Sequence, residues 1–176
     1  LSEEDVKNLV ELRPIFERNV VVVVDRFYSN IQQTTNLMSI VTKHSTIERL
    51  KKTFREYILD MVSGEIGPEY VERRKIVGHV HNRIGLFPQW YIGAYSLLQE
   101  EIHALLTREL ETKEDVDKYY YSFNKLCSFD MQICIETYIE AFTDSMLKMN
   151  EIKEFQVGLN DSASLLAASV EQTSAS

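Results

Sequence analysis

Apolar residues recur along this chain at steps of three and four almost from end to end, the period of helices that bury one face. Val20, Val24, Phe27, Tyr28 and Ile31 form one stripe; Ile47, Leu50, Phe54, Tyr57 and Met61 form another, with Thr53 at its edge. A third runs through Val116, Tyr120, Phe123, Cys127, Met131, Cys134, Tyr138 and Phe142. By propensity alone Val20–Val24 reads as a strand, but it continues the first stripe and no other segment alternates to pair with it, so it is read as helix. The fold class is all-α.

Caps and breakers set the expected boundaries. Ser2 with Asp5 forms an N-cap for the first helix, in which Pro14 should force a kink or a new start. Gln33–Asn36 breaks that helix, Asn36 should cap a short one to Val41, and Ser45 should cap the next, to about Val62. Ser63-Gly64-Glu65-Ile66-Gly67-Pro68 is the clearest turn. Pro68 then starts a helix that ends near Gly85, Pro88 starts one to about Leu110, and the last runs from about Lys113 to Met149. Those two final helices are longer than a compact domain of this size needs for its own core. The excess predicts a homodimer in which two helices from each copy make a four-helix bundle. Past Asn150 a heptad-like spacing continues through Ile152, Phe155, Leu159 and Leu166, interrupted by Ser162 and Ser169, which divides the chain into a domain over 1–150 and a helical linker over 151–176. Lacking an initiator Met and stopping inside this run, the sequence is expected to be one part of a longer protein.

With 176 residues, 44% hydrophobic and 26% charged, the chain is long enough for one real core. A net charge of −8 and no basic stripe interleaved with aromatics argue against a role on nucleic acid. No apolar run is long enough to span a bilayer, and the opening LSEEDVKNLVEL has neither a basic start nor an apolar signal core, so a cytoplasmic protein is expected. Cys127 and Cys134, seven residues apart on one helix and so about 10 Å apart along its axis, cannot be bridged and read as small buried hydrophobes.

The most informative segment is Lys75–Tyr95, KIVGHVHNRIGLFPQWYIGAY. Helical spacing puts Tyr70, Val77, His81 and Ile84 on one stripe, while His79 falls opposite with Glu72, Lys75 and Asn82. His79 therefore points to water and His81 to whatever the apolar face covers. On spacing alone, an inward histidine is either a hydrogen-bonded core residue or a ligand. Behind the break, Trp90 and Tyr91 open the next helix. His103, among Glu100, Glu101 and Glu109, reads as part of a solvated face.

The run His81, Ile84, Gly85, Leu86, Pro88, Trp90, Tyr91 resembles the pattern H-x-x-I-G-L-x-P-x-W-Y of the globin-coupled sensors, matched at every position, and among them it looks most like the haem-containing aerotaxis transducers. Upstream, Asp25-Arg26-Phe27-Tyr28 is similar to the motif of the family's second helix. The resemblance covers roughly residues 5 to 150 and implies a globin-like sandwich holding haem b. It implies His81 as proximal iron ligand, with Phe27, Tyr28, His44, Leu50, Thr53, Val77, Ile84, Trp90 and Tyr91 around the cofactor. Tyr28 and Thr53 would face bound dioxygen, whose negative charge strengthens a hydroxyl donor more than carbon monoxide does. His44 would stand near the distal rim, and Tyr91 beside the far nitrogen of the ligating histidine.

The function so implied is a non-enzymatic oxygen sensor that works through its dimer interface on a chemotaxis histidine kinase and its coupling protein. The alternatives are a globin sensor with another output, such as a diguanylate cyclase, and a haem-free globin fold serving as an interaction module. An oxygen-activating haem enzyme ranks below these, since no acid, base and substrate pocket accompany the gas site.

Overall fold

The computed structural model describes the backbone of residues 1–174 and the side chains of residues 1–166. Six helices make up its regular structure: α1 (Glu3–Ile31), α2 (Thr35–His44), α3 (Ile47–Met61), α4 (Pro68–Arg83), α5 (Pro88–Glu109) and α6 (Lys113–Ser174). No strand occurs among the described residues, and Val20–Val24 is helical. The chain divides into two compact units, Leu1–Tyr138 and Ile139–Ser176. No helix among the described residues is long and apolar enough to cross a membrane.

In the first unit, α1 lays Leu9, Leu12, Phe16, Val20, Val24 and Phe27 into the core and packs against α3 and α5. Ser2 and Asp5 close a capping box, each side chain taking the other residue's backbone N–H. Asp5 is also tied to α6, where the Ser122 hydroxyl donates to it at 3.0 Å and Lys125 Nζ lies 2.9 Å away. The Ser2 amide, followed by these α6 donors, holds the Asp5 carboxyl well below the usual range despite burial. A carboxyl with a lowered folded pKa stabilises the fold above its unfolded value near 3.9, and that contribution is lost as pH falls through the folded value. Asp5→Asn is therefore expected to cost about 1–2 kcal/mol at pH 7, the range of a lost cap. The gap between variant and parent in urea unfolding should begin to narrow as pH falls below about 4.

Several boundaries differ from expectation. Pro14 lies inside an unbroken α1, neither ending nor restarting it. Pro14 and Val10, whose carbonyl loses a partner, are both exposed, so water can satisfy that group while the buried stripe holds the helix on either side. The cap of α2 is Thr34 rather than Asn36, and α2 extends past Val41 to His44. Thr46, not Ser45, caps α3, its hydroxyl accepting from the Arg49 amide. The last helix does not stop at Met149, because 151–160 contains no proline and only Gly158 to interrupt it. Residues 175–176 of the expected linker lie outside the described residues.

Candidate functional site

α4 ends in a way that explains the Ile84-Gly85-Leu86 run. The Leu86 amide donates to the His81 carbonyl and the Gly85 amide to that of Asn82, both at 3.0 Å, and Gly85 sits at φ +78. This is the left-handed stop that a residue without Cβ adopts at least cost. It fixes His81 in the last turn. Pro88 at the start of α5 then brings Tyr91 beside that turn, with its ring edge-on to the imidazole at 5.3 Å between centroids. At Gly78, one turn before His81, an added Cβ would collide with the Thr137 hydroxyl and lie 3.2 Å from the Cys134 backbone, so the missing side chain lets α4 rest directly on α6.

His81 lines a cavity of about 370 Å³, within the range of small-molecule and cofactor sites. Phe27 and Tyr28 reach it from α1, and Leu50, Thr53, Phe54 and Tyr57 from α3. α4 adds Ile76, Val77, Val80, His81 and Ile84, the loop adds Leu86, and α5 adds Tyr91, Ala94, Tyr95 and Leu98. No charged side chain is among them. Ile76 is 61% exposed and Val80 37% although both belong to this lining, an apolar rim that a flat, mostly apolar group would cover.

The protonation of His81 follows from one contact. Its Nδ1 lies 2.8 Å from the Val77 carbonyl, which can only accept, so Nδ1 carries the proton and Nε2 keeps its lone pair. Burial pushes the imidazole pKa below its ordinary value, opposed by that carbonyl, and favours the neutral ring. A neutral imidazole with its outer nitrogen held by a carbonyl is what metal ligation requires. Among the described residues no group of three or more His, Cys, Asp or Glu is placed to hold a bare metal ion. The single imidazole and the apolar walls together fit an iron that arrives inside its own macrocycle.

The structure brings together Phe27, Tyr28, Leu50, Thr53, Val77, His81, Ile84 and Tyr91 around this cavity. His44 and Trp90 are not in its lining. His44 is the exposed last residue of α2, and the half-buried Trp90 lies outside the lining that its neighbour Tyr91 joins. His79 is exposed, as its stripe predicts. Tyr28 is 8% exposed, and its hydroxyl has no hydrogen-bond partner among the described residues. The Thr53 hydroxyl donates to the Arg49 carbonyl at 3.1 Å. Tyr91 does not hold the far nitrogen of His81, because Val77 has that place; its hydroxyl lies 2.8 Å from Cys134 Sγ and 3.2 Å from the Tyr95 oxygen.

Sequence reading missed a buried polar cluster that abuts the cavity. Arg74 and Asp130 pair at 2.9 Å, 2% and 0% exposed, with Tyr57 and Tyr70 bonded to the same carboxylate. A signal was present: Arg74 lies on the stripe of Tyr70, Val77 and His81, and Asp130 lies between Cys127 and Cys134. Opposite charges at inward positions of two helices call for each other.

This arrangement of helices around a histidine-bearing cavity is that of a globin, and the chain belongs to the family described as Protoglobin, whose model matches residues 1–143. It is 30% identical over 158 residues to the heme-based aerotactic transducer HemAT of Halobacterium salinarum, an alignment covering 83% of this chain and 32% of that protein. The chain thus spans about a third of that relative's length. Among solved structures, the globin domain of a Geobacter sulfurreducens globin-coupled sensor superposes with a TM-score of 0.73 at 19% identity, covering 78% of this chain and 90% of that one. The ferric globin domain of E. coli DosC follows with a TM-score of 0.67 at 12% identity, covering 77% and 91%. At such identities these likenesses show the globin fold. They agree with the globin-coupled-sensor resemblance carried by the His81–Tyr91 run.

Proposed function

We propose that this domain is a haem-based oxygen sensor of an aerotaxis transducer, binding haem b through His81 and taking dioxygen on the side where Tyr28 stands. The observation that carries the reading is His81: a neutral imidazole on an apolar cavity, its Nδ1 proton given to Val77 and its Nε2 free to ligate. The relationship to HemAT supports the aerotactic output. Bound there, haem would supply an iron able to take up a diatomic gas. Tyr28 offers a hydroxyl proton at the cavity wall, Phe27, Leu50 and Ile84 exclude water, and Val77 orients the ligating ring. No residue of the lining is arranged as an acid–base pair for chemistry on a larger substrate, and the domain is read as a sensor rather than an enzyme. Purified protein should show a Soret band that shifts on reduction and again with oxygen and with carbon monoxide. A chain that takes up no haem on reconstitution would instead be a haem-free interaction module.

The same proposal includes a homodimer acting, in the cytoplasm, on a chemotaxis histidine kinase and its coupling protein. In the second unit Phe142, Met149, Ile152, Leu159 and Leu166 are all more than half exposed and recur at steps of seven and three on one helix, a heptad-like stripe that in water needs a partner helix. Phe142→Glu is expected to convert a dimer into a monomer in sedimentation at micromolar concentration while the Soret band stays. A parent chain that already sediments as a monomer would remove the dimer from the proposal.

A further inference from the structure

Four tyrosines reach the cavity, yet their hydroxyls are in different situations. Tyr57 and Tyr95 contribute their rings to the wall and hydrogen-bond to each other, and the Tyr57 oxygen lies 3.0 Å from Asp130 Oδ2. The same carboxylate takes the Tyr70 hydroxyl at 2.8 and 2.9 Å and Arg74 Nε at 2.9 Å. The Arg74 guanidinium is held between the Tyr57 and Tyr70 rings, 3.9 and 4.0 Å from their centroids, and its Nη1 reaches Asp60 at 2.9 Å. Burial pushes the Asp130 carboxyl up, while Arg74, Tyr70 and Tyr57 oppose that and favour the anion. Burial also lifts Tyr57 and Tyr95 far above the ordinary tyrosine value, so both keep their protons.

The direction of each hydrogen bond then follows from counting protons. A carboxylate only accepts, and a tyrosine hydroxyl has a single proton to give. Tyr57 gives its proton to Asp130 and so must accept the proton of Tyr95. Tyr95, having spent its own, can only accept, and the single Tyr91 proton is shared between Cys134 Sγ at 2.8 Å and the Tyr95 oxygen at 3.2 Å, while the Cys134 thiol faces the Arg74 carbonyl. The run of hydroxyls is polarised toward the carboxylate, and none of these protons is left for the cavity. Tyr28 belongs to no such run. Stability alone does not call for the arrangement, because a buried ion pair can often be replaced by apolar residues without loss.

Resting on the haem reading above, we propose that Asp130 is a positioning residue that draws the hydroxyl protons of Tyr57 and Tyr95 away from the cavity and leaves Tyr28 as the donor a bound gas meets. Asp130 thereby sets gas specificity from the last helix without touching the ligand. It makes the donor count of the pocket one rather than three.

The test is the apolar pair Arg74→Met with Asp130→Leu, which removes the acceptor of the Tyr57 proton without stranding a charge. The protons of Tyr57 and Tyr95 are then free to turn to the cavity. Oxygen dissociation should slow about tenfold, the effect of one added hydrogen bond to a charged acceptor, with carbon monoxide dissociation changed less than about twofold. The difference should vanish in a chain that already carries Tyr57→Phe and Tyr95→Phe. A second readout is the tyrosine ¹³Cζ spectrum of the chain as purified and in its diamagnetic carbonmonoxy form, in which the apolar pair should move the Tyr57 and Tyr95 signals and leave that of Tyr28 in place. Should the pair fold poorly, Tyr57→Phe takes away the acceptor of the Tyr95 proton alone, and the same two readouts apply to Tyr95. Unchanged tyrosine signals, or an oxygen effect that persists in the double phenylalanine background, would overturn the proposal. A parent chain that binds no haem would sink the sensor reading, while the tyrosine spectrum would still decide the role of Asp130.

Discussion

His81→Ala is expected to abolish haem retention, and His79→Ala to leave it intact. The two histidines are two residues apart on α4, of the same chemistry and the same helix, and differ only in direction. His79 is exposed, whereas His81 lines the cavity with its Nδ1 fixed on Val77. The apolar lining offers no other nitrogen to hold an iron, so loss of this one ligand leaves only the weak embrace of the walls. The measurement is the ratio of Soret to protein absorbance after purification and after reconstitution. His81→Gly sharpens it, since imidazole added to that variant should restore the band by refilling the vacated place. Equal haem loss from both alanine variants would show that α4 merely packs against the cofactor.

Tyr28→Phe should raise the oxygen dissociation rate by roughly one to two orders of magnitude, the worth of a hydrogen bond to a charged acceptor, and the carbon monoxide rate far less. Tyr28 is buried at the wall, and burial pushes its hydroxyl pKa above the ordinary value, so it stays a donor across the physiological range. Its edge is steadied by the Phe27 and Phe54 rings, 5.3 and 6.0 Å away between centroids. Thr53→Ala should have the smaller effect of the two, because the Thr53 proton already goes to the Arg49 carbonyl and would have to leave it. Flash photolysis and stopped-flow mixing on both gases give the comparison. Equal acceleration for oxygen and carbon monoxide would mean that Tyr28 fills space and donates nothing.

The sequence by itself determined what depends on neighbours along the chain. Three- and four-residue spacing made the protein helical, overrode the strand propensity of Val20–Val24, and sent His81 and His79 to opposite faces. Gly85 and Pro88 marked the stop and restart that place Tyr91 beside the histidine, and Ser2 with Asp5 marked the first cap, all being interactions within a few residues. Local signals erred where two capping candidates lay close together, as at Thr34 and Asn36 or at Ser45 and Thr46, because the choice depends on where the helix must enter the core, and also at Pro14 and Met149, across which helices continue.

Only the tertiary structure decided which inward residues meet. Tyr57 and Asp130 are 73 positions apart and Tyr91 and Cys134 are 43, and nothing in helical periodicity chooses one partner over another at such range. Position along the chain brings Tyr91 beside His81, but the Val77 carbonyl holds the far nitrogen, and His44 and Trp90 are not in the lining of the cavity. Ile76 and Val80 are exposed apolar residues by any local rule, and they belong to the site because they border the cavity to which α1, α3 and α5 also contribute. A stripe tells a side chain to leave water. Which proton it gives, and to what acceptor, is settled by the helices that pack against it.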